Sequence, residues 1–131
     1  MRKQTIVILP FSSSTMVRDP RLCVDIADLL MSMEYDKDGD IRSMCLRFVK
    51  QRASRKRAEI YCTVWHMEGA CDQVCEVLDS DWVAELRSAA PSGWREYWTM
   101  RHFMINVDSF GCLEVIAESV SLSDTTDGIN R

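Results

Sequence analysis

Glycine and proline are scarce in this chain of 131 residues, at five and three. That excludes collagen-like and low-complexity architectures. Histidine occurs only twice, at His66 and His102, which leaves little material for imidazole-rich metal or acid–base sites. There is no Gly-rich phosphate loop and no Gly-x-Ser-x-Gly elbow. The backbone cradle for a nucleotide and the strained turn of an α/β-hydrolase are therefore both missing. No apolar run approaches the roughly 20 residues of a membrane-spanning helix. The one leader-like stretch places Arg2 and Lys3 before an apolar run at 5–9. It is short, Pro10 interrupts it, and no small-x-small cleavage site follows closely. It reads better as a first β-strand.

Hydrophobic residues make up 47% of the chain and charged residues 27%, the balance of a globular protein and not of a disordered one. A chain of this length buries roughly two thirds of its surface, enough for one core without staples. The formal charge of −4 makes the surface mildly acidic. The six cysteines are Cys23, Cys45, Cys62, Cys71, Cys75 and Cys112. Disulfide scaffolds are small and poor in core residues, whereas this chain has eight Met and four Trp. Reduced thiols acting as small hydrophobes, and hence a cytoplasmic protein, are the expectation.

Asp19-Pro20 has the form of a helix start, and Leu22, Ile26, Leu29, Leu30 and Met33 follow at helical spacing. The spacing predicts a helix over 19–33. Asp38-Gly39 predicts a hairpin, since both central residues of its turn need positive φ. Alternation predicts strands over 41–49 and 58–64, and a shorter one over 73–77. Ser80 caps a predicted helix over 81–89, with Asp79 and Asp81 at its positive end. Strands are predicted over 97–107 and 112–122, joined by a turn at 108–111. The expected fold is α+β: a meandering antiparallel β-sheet with two helices packed on it. Residues 1–122 form a single domain in this reading, and 123–131 a flexible polar tail.

Five clusters could carry chemistry. Asp36, Asp38 and Asp40 resemble a calcium loop, but Ile41 and Arg47 stand where its Gly and Glu belong. An acidic hairpin tip is the better reading. Cys62, His66, Cys71 and Cys75 supply four soft ligands. On a strand, however, Cys62 and His66 would lie about 13 Å apart, too far for one zinc. No metal is expected. Cys112 with His102 could form a thiol–imidazole pair, but a catalytic thiol needs a depressed pKa, and Glu114 beside it works against that. Lys50, Arg52, Arg55, Lys56 and Arg57 form a basic loop at 50–57. Without those five charges the formal −4 becomes −9 on the rest of the chain. Such a loop could grip phosphates, although no stacking aromatic lies within it. Trp94, Tyr97 and Trp98 form an aromatic cluster suited to anchoring an interface.

The C-terminal half has distinctive wording. It runs Ser80-Asp81-Trp82-Val83-Ala84-Glu85-Leu86, then Arg101-His102-Phe103-Met104-Ile105. It continues as Asp108-Ser109-Phe110-Gly111-Cys112-Leu113-Glu114-Val115-Ile116-Ala117-Glu118-Ser119. Over 58–122 this resembles a group of small bacterial proteins of about this size, with immunity proteins of toxin systems among proteins of similar build. The resemblance brings no activity, and no functional residue is carried over from it.

The sequence therefore points to a non-enzymatic protein-binding module that neutralises or regulates a bacterial protein, such as a toxin immunity protein. The acidic body suits a basic partner and speeds its encounter. Trp94, Tyr97, Trp98, Arg101, His102, Asp108 and Glu114 are the expected partner-binding residues. No residue is assigned to catalysis and no cofactor is expected. The alternative is a metal- or thiol-dependent enzyme using His66, His102 and the cysteines. A third reading is nucleic-acid binding through the basic loop.

Overall fold

The computed structural model describes residues 2–91 and 98–126. Its strands are β1 (Lys3–Ile8), β2 (Arg21–Asp25), β3 (Asp28–Lys37), β4 (Asp40–Val49), β5 (Ala53–Arg57), β6 (Gln73–Val77), β7 (Arg101–Val107), β8 (Gly111–Ala117) and β9 (Ser119–Asp124). Helix α1 is one turn, Val64–Met67, and α2 spans Asp81–Ala89. All strand pairings are antiparallel. The α+β class and the antiparallel strands stand as the sequence implied, and two helices pack on the strands, of which only α2 is one that the sequence predicted.

The strands sort into two sheets, of order β1-β6-β7-β8-β5 and β2-β3-β4-β9. The chain passes between them at Glu118, whose N–H bonds the Val49 carbonyl at 2.8 Å. The inner faces meet in one core. Met31, Met33, Leu46 and Phe48 come from the four-stranded sheet, and Phe103, Ile105, Leu113 and Val115 from the five-stranded one. Burying each such side chain stabilises by roughly 1.5–3 kcal/mol. On the outer face of the five-stranded sheet a second cluster joins Cys75, Val77, Met104 and Cys112 to Ala70, Cys62 and Trp65. The segment carrying α1 thus covers one end of that face. Helix α2 covers the other, with its Trp82 edge-on to the His102 ring.

The helix predicted over 19–33 is instead the β2–β3 hairpin. Ile26 takes φ 57° at the turn, and Asp25 faces Asp28 across it. The decisive residue is Met31, which the helical stripe omits. Leu29, Met31, Met33 and Tyr35 are all buried, at period two. The strand predicted over 58–64 is also absent. The basic run itself forms β5, pairing with β8 from Ala53↔Ile116 to Arg57↔Cys112. The chain then leaves the sheet through a 3-10 turn, Glu59–Tyr61, and α1. Gly111 makes this crossing possible. It has φ +109°, and a Cβ there would run into the Arg57 carbonyl oxygen. The predicted strand over 112–122 divides at Glu118 into β8 and β9. Strand β9 continues through Asp124, taking Ser123 and Asp124 out of the expected tail. Beyond it, the Thr125 N–H bonds the Ser43 carbonyl at 2.9 Å. The Asp38-Gly39 hairpin, the strand near 41–49, β6 and the Ser80-capped α2 lie where the sequence placed them.

Candidate functional site

Across the outer face of the five-stranded sheet, alternation on β7 and β8 aims His102 and Glu114 in the same direction. Both are nearly sealed from solvent, at 1% and 5% exposure. His102 Nε2 lies 2.8 Å from Glu114 Oε1, and Ser80 Oγ lies 2.7 Å from His102 Nδ1. Arg55 closes the chain by donating Nε and Nη2 to the two carboxylate oxygens, at 2.9 and 3.1 Å. Burial by itself would raise the Glu114 pKa. The hydrogen bonds from His102 and Arg55 outweigh it and hold the carboxyl down at about 2. Glu114 is thus an ionised acceptor, so His102 Nε2 carries the proton. In the neutral ring, Nδ1 then accepts the Ser80 hydroxyl. Ser80 Oγ in turn accepts the Val83 N–H at 3.1 Å, capping α2. Ser80 and His102 line a cavity of about 300 Å³ with Val77, Leu78, Val83 and Met100. The sequence showed the Ser80 cap, but it put His102 and Glu114 on a partner-binding surface, whereas the structure buries them. It carried no signal that three elements would join them.

The basic run lies at a sheet edge as a strand, not as a loop. Its cations meet rings and carboxylates brought from far along the chain. Arg55 stacks on Trp82 with 4.0 Å to the ring centroid, Lys56 on Phe110 at 4.3 Å, and Arg52 on Trp98 at 4.5 Å. Lys50 lies 3.6 Å from Glu118, and Arg57 donates to the Tyr61 carbonyl at 3.2 Å. The aromatics missing from the run are thus supplied in three dimensions, but they bind the protein's own cations. Arg55, Lys56, Arg57, His66 and Glu114 line a smaller cavity of about 230 Å³.

All six cysteines are free. Among the described residues, no three His, Cys, Asp or Glu side chains come together as metal ligands. His66 Nδ1 is occupied by the Thr63 N–H and hydroxyl at 3.0 and 2.8 Å. Cys71 Sγ donates to the Met67 carbonyl at 3.3 Å. Cys112 does not pair with His102. Burial pushes its thiol up to about 12, and the Glu114 charge adds to that, the reverse of what a nucleophile requires.

Of the expected partner-binding residues, Trp94 and Tyr97 lie outside the described residues. Trp98 is half-buried, and Arg101 holds Glu76 through bonds of 3.1 and 2.8 Å. Asp108 is exposed in the β7–β8 turn. The sealed His102 and Glu114 offer no surface to a partner. Large apolar side chains are exposed elsewhere, along β2 and its turn and in the segment predicted as a strand over 58–64. Ile60, Tyr61 and Val64 are 83%, 67% and 72% exposed, and Met67 joins them one helical turn on. Monomers seldom leave so many large apolar groups together in water.

No helix among the described residues is long and apolar enough to cross a membrane. No protein-family model matches the chain, no curated protein matches it, and no solved structure matches it.

Proposed function

We propose that the chain is a protein-binding module that neutralises or regulates a protein partner, as toxin immunity proteins do. The observation that carries this reading is the exposed apolar group Ile60, Tyr61, Val64 and Met67 beside the basic edge of β5. An aromatic-centred apolar patch with arginine at its rim is the anatomy of an interface hot spot. The acidic residues collect elsewhere: the 19–40 segment has seven acidic and two basic residues. At this surface the fitting partner is therefore acidic, in place of the basic one suggested by net charge. A partner carboxylate would pair with Lys56 and Arg57 beside the cavity they line, where Arg55 is already held by Glu114. Native mass spectrometry of the protein purified from its own host tests this. Tyr61→Ala and Arg57→Glu are each expected to weaken the complex at least tenfold while leaving the melting temperature unchanged. A complex indifferent to both variants, or variants that simply melt earlier, would sink the reading.

A second reading is favoured by the Ser80–His102–Glu114 chain. With Nδ1 as acceptor, His102 could take the Ser80 proton and Glu114 could hold the resulting imidazolium, the arrangement of a serine hydrolase. In this reading the nucleophile is Ser80, not a cysteine. A fluorophosphonate probe decides it. Labelling at Ser80, lost in Ser80→Asp, supports hydrolase chemistry; an unlabelled wild type removes it.

A further inference from the structure

Strand β2 is an edge, and its side chains stay in water where those of the next strand do not. Leu22 stands opposite Met31 and Val24 opposite Leu29, so all four belong to the inner face of the sheet. Met31 and Leu29 are 0% and 5% exposed, yet Leu22 and Val24 are 41% and 59% exposed. The core thus ends one strand short of the sheet. No strand among the described residues pairs with the outer edge of β2. Strand β2 contains no proline, no lysine and no bulge, and its charges stand only at its two ends, Arg21 and Asp25.

The sequence of β2 is Arg21-Leu22-Cys23-Val24-Asp25. Read against itself in the antiparallel sense about Cys23, it is self-complementary. Leu22 faces Val24 of the other strand on the inner face. On the opposite face Arg21 meets Asp25, Cys23 meets Cys23, and Asp25 meets Arg21. Asp25 already lies 3.6 Å from Arg47 and is positioned to accept a second cation. From this geometry we infer that β2 pairs with β2 of a second copy of the chain. The result is a two-fold dimer with one continuous sheet of four strands from each protomer. Such pairing supplies the missing backbone hydrogen bonds, covers Leu22 and Val24, and matches both charges. An interface of this modest size makes a concentration-dependent dimer and not an obligate one. It lies apart from the Tyr61 patch, so each protomer keeps its own partner surface.

Sedimentation velocity of the full chain over a range of concentrations tests the proposal. Wild type is expected to pass from monomer to dimer. Val24→Lys, at an exposed position, is expected to stay monomeric with an unchanged melting temperature. Asp25→Arg sets arginine against arginine and is expected to weaken the dimer at least tenfold. Arg21→Asp combined with Asp25→Arg restores opposite charges and is expected to recover most of that loss. Mild oxidation with diamide is expected to link wild-type protomers through Cys23, and Cys23→Ser to abolish the link. A wild type that is monomeric at every concentration overturns the proposal. So does a dimer that survives Val24→Lys, or a well-folded double variant that fails to recover. A monomer whose β2 is blocked only by a different protein overturns it equally. Because Tyr61→Ala leaves β2 untouched, failure of the dimer and failure of the partner surface are read separately.

Discussion

Glu114 carries its charge largely withdrawn from water, at 5% exposure, and the arrangement around it follows from that. A buried carboxylate without partners would cost several kcal/mol, so His102 and Arg55 are recruited to it. Its pKa lies at about 2 in the folded protein against an ordinary 4.5. A depressed carboxyl stabilises the fold fully above its unfolded value and loses that contribution as pH falls towards its folded value. The stability of the wild type should therefore drop between about pH 4.5 and pH 2. Glu114→Gln should cost about 1–3 kcal/mol at neutral pH and flatten that drop. Urea midpoints measured across the acid range for both proteins check the two expectations together. At this scale the sequence was silent: Glu114 reads as a surface residue until His102 and Arg55 are seen around it.

Local chemistry and tertiary pairing compete at the scale of the element. Where the local signal is strong and short-range, it wins. The Asp38-Gly39 turn closes the β3–β4 hairpin with both residues at positive φ, because few residue pairs tolerate that geometry. Ser80 caps α2 for the same reason. Ser80→Ala is expected to cost about 1–2 kcal/mol in chemical denaturation, whereas Ser80→Asp, which can still cap, should lose less than half of that. If both variants lose the same amount, the bond to His102 and not the cap is what stabilises α2. Where the signal is mere apolar spacing, pairing overrides it. Leu22, Leu29, Leu30 and Met33 fit a helical stripe, but Met31 and Tyr35 extend Leu29 and Met33 into a period of two, and pairing with β4 buries that face. The alternation at Ala58, Ile60, Cys62 and Val64 looked like a strand. The neighbouring position on β8 was already taken by the basic run, however, and three of those side chains, Ala58, Ile60 and Val64, are exposed.

For the whole molecule, stability should be graded from the centre of the five-stranded sheet outwards. Strands β7 and β8 are buried along almost their full length, whereas β2 is exposed throughout. Phe103→Ala should cost about 3–5 kcal/mol, while Leu22→Ala in dilute protein should stay within about 1 kcal/mol. Hydrogen exchange gives the same ordering without mutation, with β7 and β8 amides exchanging last and β2 amides first. Slow exchange in β2 that appears only at high protein concentration would be the signature of its pairing with a second copy.

The sequence by itself determined the class, the turns at Asp38-Gly39 and 108–111, the capped helix and most of the strands, because composition, period and turn chemistry act over a few residues. Only the tertiary structure decided that the strands divide between two sheets and that the basic run is an edge. It alone made one chain of hydrogen bonds from Ser80, His102, Glu114 and Arg55. Those outcomes depend on contacts between residues far apart in the chain, 59 positions for Arg55 and Glu114 and 80 for Met44 and Asp124. No local pattern encodes which distant cation will meet a buried carboxylate, because that choice is made by the packing of the sheet.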